Sequence, residues 1–201
     1  MYRNCLKRVF DFILSLSALI VLSPILLIFT VIGAFKMKGN PFFTQLRPGK
    51  DEKIFKLIKF RSMTEEKDKD GNYLPDEVRL TKYGKRLRST SIDELPELIN
   101  ILKGDMAIVG PRPLLVKYLD LYNAEQHRRH VVRPGLTGLA MANGRNSLTW
   151  EQKFKYDIEY VDNLSLMMDI GIILKTIKGV LKREGVTSPN SATVEEFKGN
   201  D

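Results

Sequence analysis

Residues 12–35 read FILSLSALIVLSPILLIFTVIGAF, from Phe12 to Phe35, without one formal charge. As a straight helix this run would measure roughly 36 Å, enough to cross a hydrocarbon core of roughly 30 Å. A signal peptide is the first alternative. The run is long for one, and no small-x-small cleavage site follows before Lys36 and Lys38. A retained membrane segment is therefore expected. Ser23-Pro24 lies at its middle. The proline removes a backbone donor and clashes with the carbonyl four residues back, and it pushes Ser23 away from the α region. A kinked spanning helix tolerates such a proline. The flanks favour a different shape: Arg3, Lys7 and Arg8 precede the run, and Lys36 and Lys38 follow it. Positive residues prefer the cytoplasmic side. A helix that enters, breaks at Ser23-Pro24 and leaves on the same side satisfies both ends. Each half, at roughly 17 Å, reaches about mid-bilayer. Lys7 and Asp11, four apart, are expected to pair at the membrane edge.

The whole chain has 201 residues, 43% hydrophobic and 28% charged, so an ordered core is expected. The net charge of +8 leaves three partner classes: nucleic acid, anionic lipid and phosphorylated substrates. Cys5 is the one cysteine, so no disulfide forms within the chain, and it is read as inert. His127 and His130 lack a third ligand, so a basic surface around Arg128 and Arg129 is preferred to a metal site.

Beyond the apolar run, Phe42 to Gln45 and Ile54 to Phe60 read as strands joined by a turn at Arg47-Pro48-Gly49-Lys50. Glu65 to Pro75 reads as a mobile solvated loop. Asp68, Asp70 and Asn72 open like a calcium loop, but Tyr73 stands where glycine is needed and Arg79 where the closing glutamate is needed. Leu95, Leu98, Ile99 and Leu102 form a helical stripe stopped by Lys103-Gly104. Met106 to Val109 reads as a short buried strand or turn, Leu114 to Arg129 as a helix, and Arg133-Pro134-Gly135 as the start of a loop. Trp150 to Tyr160 and Ser165 to Lys182 read as helices. The second is apolar on one side, which suits a membrane surface and a packed core equally. The tail from Glu184 to Asp201 is expected to be loosely held. The fold class expected is α+β and mostly helical: a re-entrant anchor (1–38), a compact catalytic domain with a small β-hairpin and amphipathic interfacial helices (39–183), and a tail (184–201).

Asp93 and Glu94 are adjacent acids ahead of the Leu95 stripe. Two readings stand side by side. Ser91-x-x-Glu94 is a capping-box pattern and Asp93 is itself a good N-cap, so the acids can simply start a helix. Equally, a helix start attracts phosphate, and an ionised carboxylate there can attack phosphorus or hold magnesium. Arg86, Arg88, Arg112, Arg128, Arg129 and Arg133 surround the pair in sequence, and arginine's fork suits phosphate oxygens. For Arg86 and Arg128 the solvated reading is preferred. Pro111-Arg112-Pro113 would hold its fork stiffly.

Ser91-Ile92-Asp93-Glu94-Leu95-Pro96-Glu97-Leu98, then Leu102-Lys103-Gly104-Asp105-Met106, then Val109-Gly110-Pro111-Arg112-Pro113 resemble the signature of the bacterial sugar transferase family. Gln45-Leu46-Arg47-Pro48-Gly49, Phe55 to Met63 with Lys59, Val132 to Gly138, and Asn143-Gly144-Arg145 follow the same family order. The length is similar to that of the small monotopic phosphoglycosyl transferases. The tail Val180 to Phe197 resembles the PglC-like subgroup, which initiates bacterial N-linked glycan assembly. The resemblance implies a re-entrant helix broken at Ser23 and Pro24, at the cytoplasmic face of the bacterial inner membrane. It implies a magnesium-dependent Asp93-Glu94 dyad, with Asp93 as the metal ligand and as the nucleophile on the β-phosphate of a UDP-sugar. UMP leaves, and polyprenyl phosphate then takes the phosphosugar. Glu94 is implied to position or deprotonate the acceptor. Arg112 is implied to hold substrate phosphate, with Lys59, Arg88, Arg133 and Arg145 as further binding residues. An N-acetylated UDP-sugar, with a 6-deoxy form among the options, is the family-level expectation. Leu139-Ala140-Met141-Ala142 departs from the Trp-Ala-Gln-Val of many relatives. The competing classes are a membrane-tethered basic binding protein without catalysis and a structural membrane protein whose acids only cap a helix. Nucleic acid is not an expected partner, because the basic residues are scattered and no nucleic-acid motif is present.

Overall fold

A computed structural model describes residues 2–182 and 196–200. A π-helical turn, Tyr2–Leu6, leads into α1, Lys7–Lys36. The helix runs without interruption through Ser23-Pro24, so the two expected short helices form one element with proline inside it. Pro24 lacks the N–H that would bond the Ile20 carbonyl. The Ser23 hydroxyl donates to that carbonyl at 2.8 Å, which replaces the missing bond.

Both halves of α1 rest on the same domain. Near its start, Arg8 donates to the carbonyls of Ile101 and Leu102 at 2.7 and 2.8 Å. Ala18, Leu19 and Leu22 pack on a core of Phe55, Leu57, Leu98, Ile101 and Met106. Further on, the Tyr83 hydroxyl donates to the Phe29 carbonyl at 3.2 Å. The remaining face is apolar and exposed, with Ile20, Val21, Leu27 and Phe35 outermost. The expected pair forms: Lys7 lies 3.6 Å from Asp11, and it also lies 2.8 Å from Asp169 in a buried node.

β1 (Phe42–Pro48) and β2 (Ile54–Phe60) form the expected antiparallel hairpin, with Gln45 opposite Leu57 and Arg47 opposite Phe55. The segment expected as a solvated loop is mostly exposed, and it folds back on itself. Lys67 pairs with Tyr73, and Asp68 Oδ1 accepts from the N–H groups of Asp70 and Asn72, as short polar side chains do in turns. α2 (Asp76–Arg79) and α3 (Lys82–Ser89) follow; Thr81 caps α3 through the Gly84 N–H at 2.9 Å. A 3₁₀ turn, Ile92–Glu94, precedes α4, Glu97–Lys103, which ends at Gly104 with φ 95°.

β3 (Ala107–Val109) pairs in parallel with β4 (Gly135–Thr137), a strand within the expected loop. The pairing explains the glycines that flank it. A Cβ on Gly135 would lie 2.1 Å from the Gly110 nitrogen, so the two chains approach only without side chains there. The single helix expected over 114–129 is broken into a 3₁₀ turn, Val116–Leu121, then α5, Ala124–His127, then a second 3₁₀ turn, Arg128–Val131. Asn123 restarts the chain by exchanging capping bonds with Gln126. α6 (Leu139–Ala142), α7 (Trp150–Asn163) and α8 (Leu166–Lys182) complete the domain.

A second core gathers Val109, Val132, Leu139, Tyr160, Val161 and Ile172. α8 answers both readings of its sequence: Asp169 and Ile172 face this core, while Met167, Ile170, Leu174 and Ile177 are exposed. The third core corrects the tail reading at residues 196–200 alone. Phe197 is buried among Tyr118, Tyr122 and Phe154, because an aromatic side chain gains far more from burial than its polar neighbours resist. Most of Val180 to Phe197, residues 183–195, lies outside the described residues.

Candidate active site

The hairpin, α4 and the proline-framed loop converge on one charged cluster. Burial of Leu98 and Ile101 turns α4 against β2. Asn100, 1% exposed, fixes the contact. Its side chain donates to the Lys56 carbonyl at 2.8 Å and accepts from the Ile58 N–H at 3.0 Å, occupying backbone groups at the edge of β2. That docking sets Lys59, on β2, against the acids at the start of α4. Lys59 Nζ lies 2.7 Å from Glu94 Oε1 and 3.0 Å from Glu97 Oε1. Arg112 Nη2 lies 2.5 Å from the same Glu94 oxygen, and its Nη1 lies 3.1 Å from Met141 Sδ.

The capping-box reading does not hold. Ser91 makes no side-chain cap bond, and Glu94 turns to Lys59 and Arg112 instead of back to Ser91. Two cations offer a carboxylate more than one N–H does. Ser91 adopts φ 56°, a left-handed conformation unusual for a side-chain-bearing residue, between α3 and the 3₁₀ turn. This kink presents Asp93 and Glu94 together although they are sequence neighbours.

The two acids differ in electrostatics. Burial first, then the Glu94 charge, push the Asp93 carboxyl above the ordinary carboxylate range, against the pull of Lys59, Arg88 and Arg112. Glu94 is also pushed up by burial, but Arg112 and Lys59 outweigh that and hold it well below the usual range. Burial pushes Glu97 up to about 7 despite Lys59. The Glu94 charge holds the Arg112 guanidinium above its ordinary value. Asp93, 9% exposed, has no side-chain hydrogen bond or ion pair among the described residues.

The expected site residues separate into three groups. Asp93, Glu94, Lys59 and Arg112 come together. Arg88 acts on Asp93 through its charge, while its Nε donates to the Ser62 hydroxyl at 3.0 Å. Arg133 lies at the opposite end of α4, where its Nε donates to the Gly104 carbonyl at 2.8 Å. Arg145 opens a 3₁₀ turn, Arg145–Ser147, and its side chain lies outside what the structure describes.

Four contributors stand outside the expected set of site residues. Glu97 shares a helical face with Asp93 and Glu94, a spacing that signals proximity but not the contact with Lys59. Asn100 and Arg129 are buried polar groups that no local pattern marks. Arg129 corrects the basic-surface reading: it is 2% exposed, paired with Asp157 at 2.6 Å, and donates to the Arg112 carbonyl at 2.7 Å. Asp157 supplies the charge that makes this burial tolerable. His130 is buried with it, whereas Arg128 is exposed beside Glu125 and Asp162. Met141 places the Leu139–Ala142 departure directly against Arg112.

Among the described residues, no set of three or more His, Cys, Asp or Glu groups is arranged to hold a metal. Magnesium is commonly held by one or two carboxylates together with substrate phosphates. Asp93, unpaired and buried, fits that role; Glu94 is committed to two cations.

The model of a family described as bacterial sugar transferase matches residues 2–183. The uncharacterised sugar transferase EpsL of Bacillus subtilis (strain 168) is 50% identical over 97% of this chain and 96% of its own length. The exopolysaccharide production protein ExoY of Sinorhizobium fredii (strain NBRC 101917 / NGR234) is 37% identical over 89% of this chain and 87% of its own. The UDP-glucose:undecaprenyl-phosphate glucose-1-phosphate transferase of Klebsiella pneumoniae is 42% identical over 88% of this chain, which spans 40% of that longer protein.

Proposed function

This chain belongs to the bacterial sugar transferase family, and from that membership and the site geometry we propose that it moves a sugar phosphate from a UDP-sugar to polyprenyl phosphate through a covalent bond to Asp93. A relative at 42% identity is named for the same class of donor and acceptor. The observation that carries the reading is the division of the dyad. Glu94 is bound by Lys59 and Arg112, which leaves Asp93 as the buried carboxylate of the dyad with no cation in contact among the described residues. A desolvated, unpaired carboxylate is the better nucleophile of the two.

In the first step an Asp93 oxygen bonds to the β-phosphorus of the donor. The bond from that phosphorus to the bridging oxygen breaks, and UMP leaves with the electron pair. In the second step an oxygen of polyprenyl phosphate bonds to the same phosphorus. The Asp93 oxygen leaves as a carboxylate, giving polyprenyl-diphosphate-sugar. Arg112 and Lys59 stand where they can neutralise phosphoryl oxygens in both steps. Glu94, held far below the usual carboxylate range, is a weak base, so its part is to position those two cations. Asp93 would hold magnesium, which when bound adds positive charge at the phosphoryl oxygens.

The anchor fits a lipid substrate. Arg8 and Phe29, in opposite halves of α1, both contact the one domain, which supports a bend of the continuous helix at Pro24 that returns its two ends to one membrane face. Basic flanks support the cytoplasmic side as that face. The reading makes this protein an initiating enzyme of glycoconjugate assembly at the inner membrane, with an N-acetylated UDP-sugar as the first donor to test.

The test is nucleotide release from a panel of UDP-sugars with magnesium and undecaprenyl phosphate. UMP, not UDP, is the expected product, and Asp93→Asn should slow its release at least about 10³-fold. Release of UDP, or an Asp93→Asn variant as fast as the parent, contradicts the proposal.

A further inference from the structure

Arg47 stands at the end of β1, on the face of the hairpin that period-two alternation shares with Gln45 and, across the pairing, with Leu57 and Lys59. Its guanidinium is half-buried. Among the described residues it has no carboxylate partner, and its one side-chain bond is from Nη2 to Gln45 Oε1 at 2.6 Å. Its Nε is buried with no acceptor among the described residues. A buried N–H of a charged group without a partner is unfavourable by an amount that native structures rarely leave uncompensated. Burial and the nearby Arg112 charge lower the guanidinium to about 10, so it remains a cation at neutral pH.

The same guanidinium lines a cavity of about 70 Å³ together with Leu57, Lys59, Glu97, Arg112 and Leu114. That volume holds several waters. Three cations and one acid meet there. Lys59 and Arg112 are already engaged by Glu94 and Glu97, so the surplus positive charge belongs to Arg47. Resting on the proposed transferase reading, we infer that Arg47 is a substrate-binding residue whose guanidinium receives a phosphoryl group in this cavity, next to the group held by Arg112. The fork of Arg47 offers the geometry that two phosphate oxygens need, and its free Nε supplies the donor. Two phosphoryl groups can reach this place: the one that leaves on UMP, and the one that arrives on the lipid.

The experiment uses the full chain in detergent and compares the parent with Arg47→Gln and Arg47→Lys. One arm measures the affinity of UMP by calorimetry. A second measures the KM for undecaprenyl phosphate. A third follows phosphosugar attachment to Asp93. Arg47→Gln should weaken UMP binding or raise the acceptor KM at least 10-fold, and the arm that moves identifies the source of the phosphoryl group. Arg47→Lys should lose less in the same arm, because it keeps the charge without the fork. Unchanged values in both arms overturn the inference. If they are unchanged while the parent still modifies Asp93, the inference about Arg47 fails and the transferase reading stands. If the parent never modifies Asp93, the transferase reading fails, and an Arg47-dependent UMP affinity still establishes the binding site. A general loss of fold in Arg47→Gln would lower its melting temperature along with that of Arg47→Lys. Equal losses in both variants, tracking melting temperature, count against a phosphoryl role.

Discussion

Asp93 and Glu94 are bonded neighbours shifted in opposite directions: burial and the Glu94 charge push Asp93 up, while Arg112 and Lys59 hold Glu94 down against its own burial. Two acids pushed apart in this way are suited to different tasks. In the proposed reaction Asp93 reacts and Glu94 arranges the cations around it.

Glu94→Gln tests the arranging role. The amide keeps the shape but loses the charge that gathers Lys59 and Arg112. We expect kcat/KM to fall by about 10² and the loss to persist across pH 6–9, because no base is being removed. A profile in which the variant recovers at high pH contradicts this and restores a proton-transfer role.

Glu97 gives the site a pH-dependent stability. Its folded value of about 7 exceeds its ordinary 4.5, so the folded state binds the proton more tightly than the unfolded chain does. The resulting stabilisation is complete below about 4.5 and is lost as pH rises through about 7. Its size is on the order of 3 kcal/mol at most. Melting temperatures in detergent at pH 5 and 8 should diverge for the parent and converge for Glu97→Gln. Equal pH dependence in both would contradict the assignment.

The anchor makes a topological prediction. Cys5 and a cysteine introduced by Lys38→Cys flank α1. With both helix halves contacting one domain, a membrane-impermeant maleimide should reach both positions from the cytoplasmic side. Reaction of the two from opposite sides would establish a spanning helix.

Glycine substitutions separate packing from propensity. Gly135→Ala places a Cβ 2.1 Å from the Gly110 backbone and should abolish folding or activity. Gly171→Ala, inside α8, meets nothing within 4 Å and should raise stability by about 1 kcal/mol. The comparison is read by thermal melting of both variants.

The sequence made much of this legible where pattern and physics coincide. The uncharged run ending at Phe35, the hairpin around Arg47-Pro48-Gly49, and the stripe from Leu95 to Leu102 all carry periodic or turn signals, and each was found within a few residues. That Glu94 and Arg112 meet in space follows from two compact motifs brought together by the fold. What stayed hidden depends on contacts between segments distant in sequence. β4 contains three residues, Gly135–Thr137, and exists only because Ala107–Val109 lies beside it. Asn100 has no marker of its burial except the β2 backbone that it satisfies. Arg129 reads as one more surface cation until Asp157 is seen beneath it. Phe197 looks like part of a polar tail until Tyr118 and Tyr122 surround it. The break expected at Ser23-Pro24 became an unbroken helix because Ser23 itself repairs the bond that Pro24 removes.

The most direct test is intact mass spectrometry of the protein incubated with magnesium and UDP-sugars in the absence of lipid, followed by peptide mapping. Our reading predicts a mass increase equal to one phosphosugar, located on Asp93, absent in Asp93→Asn and discharged by undecaprenyl phosphate. A sample that converts donor and acceptor to product while Asp93 never carries phosphorus would contradict it.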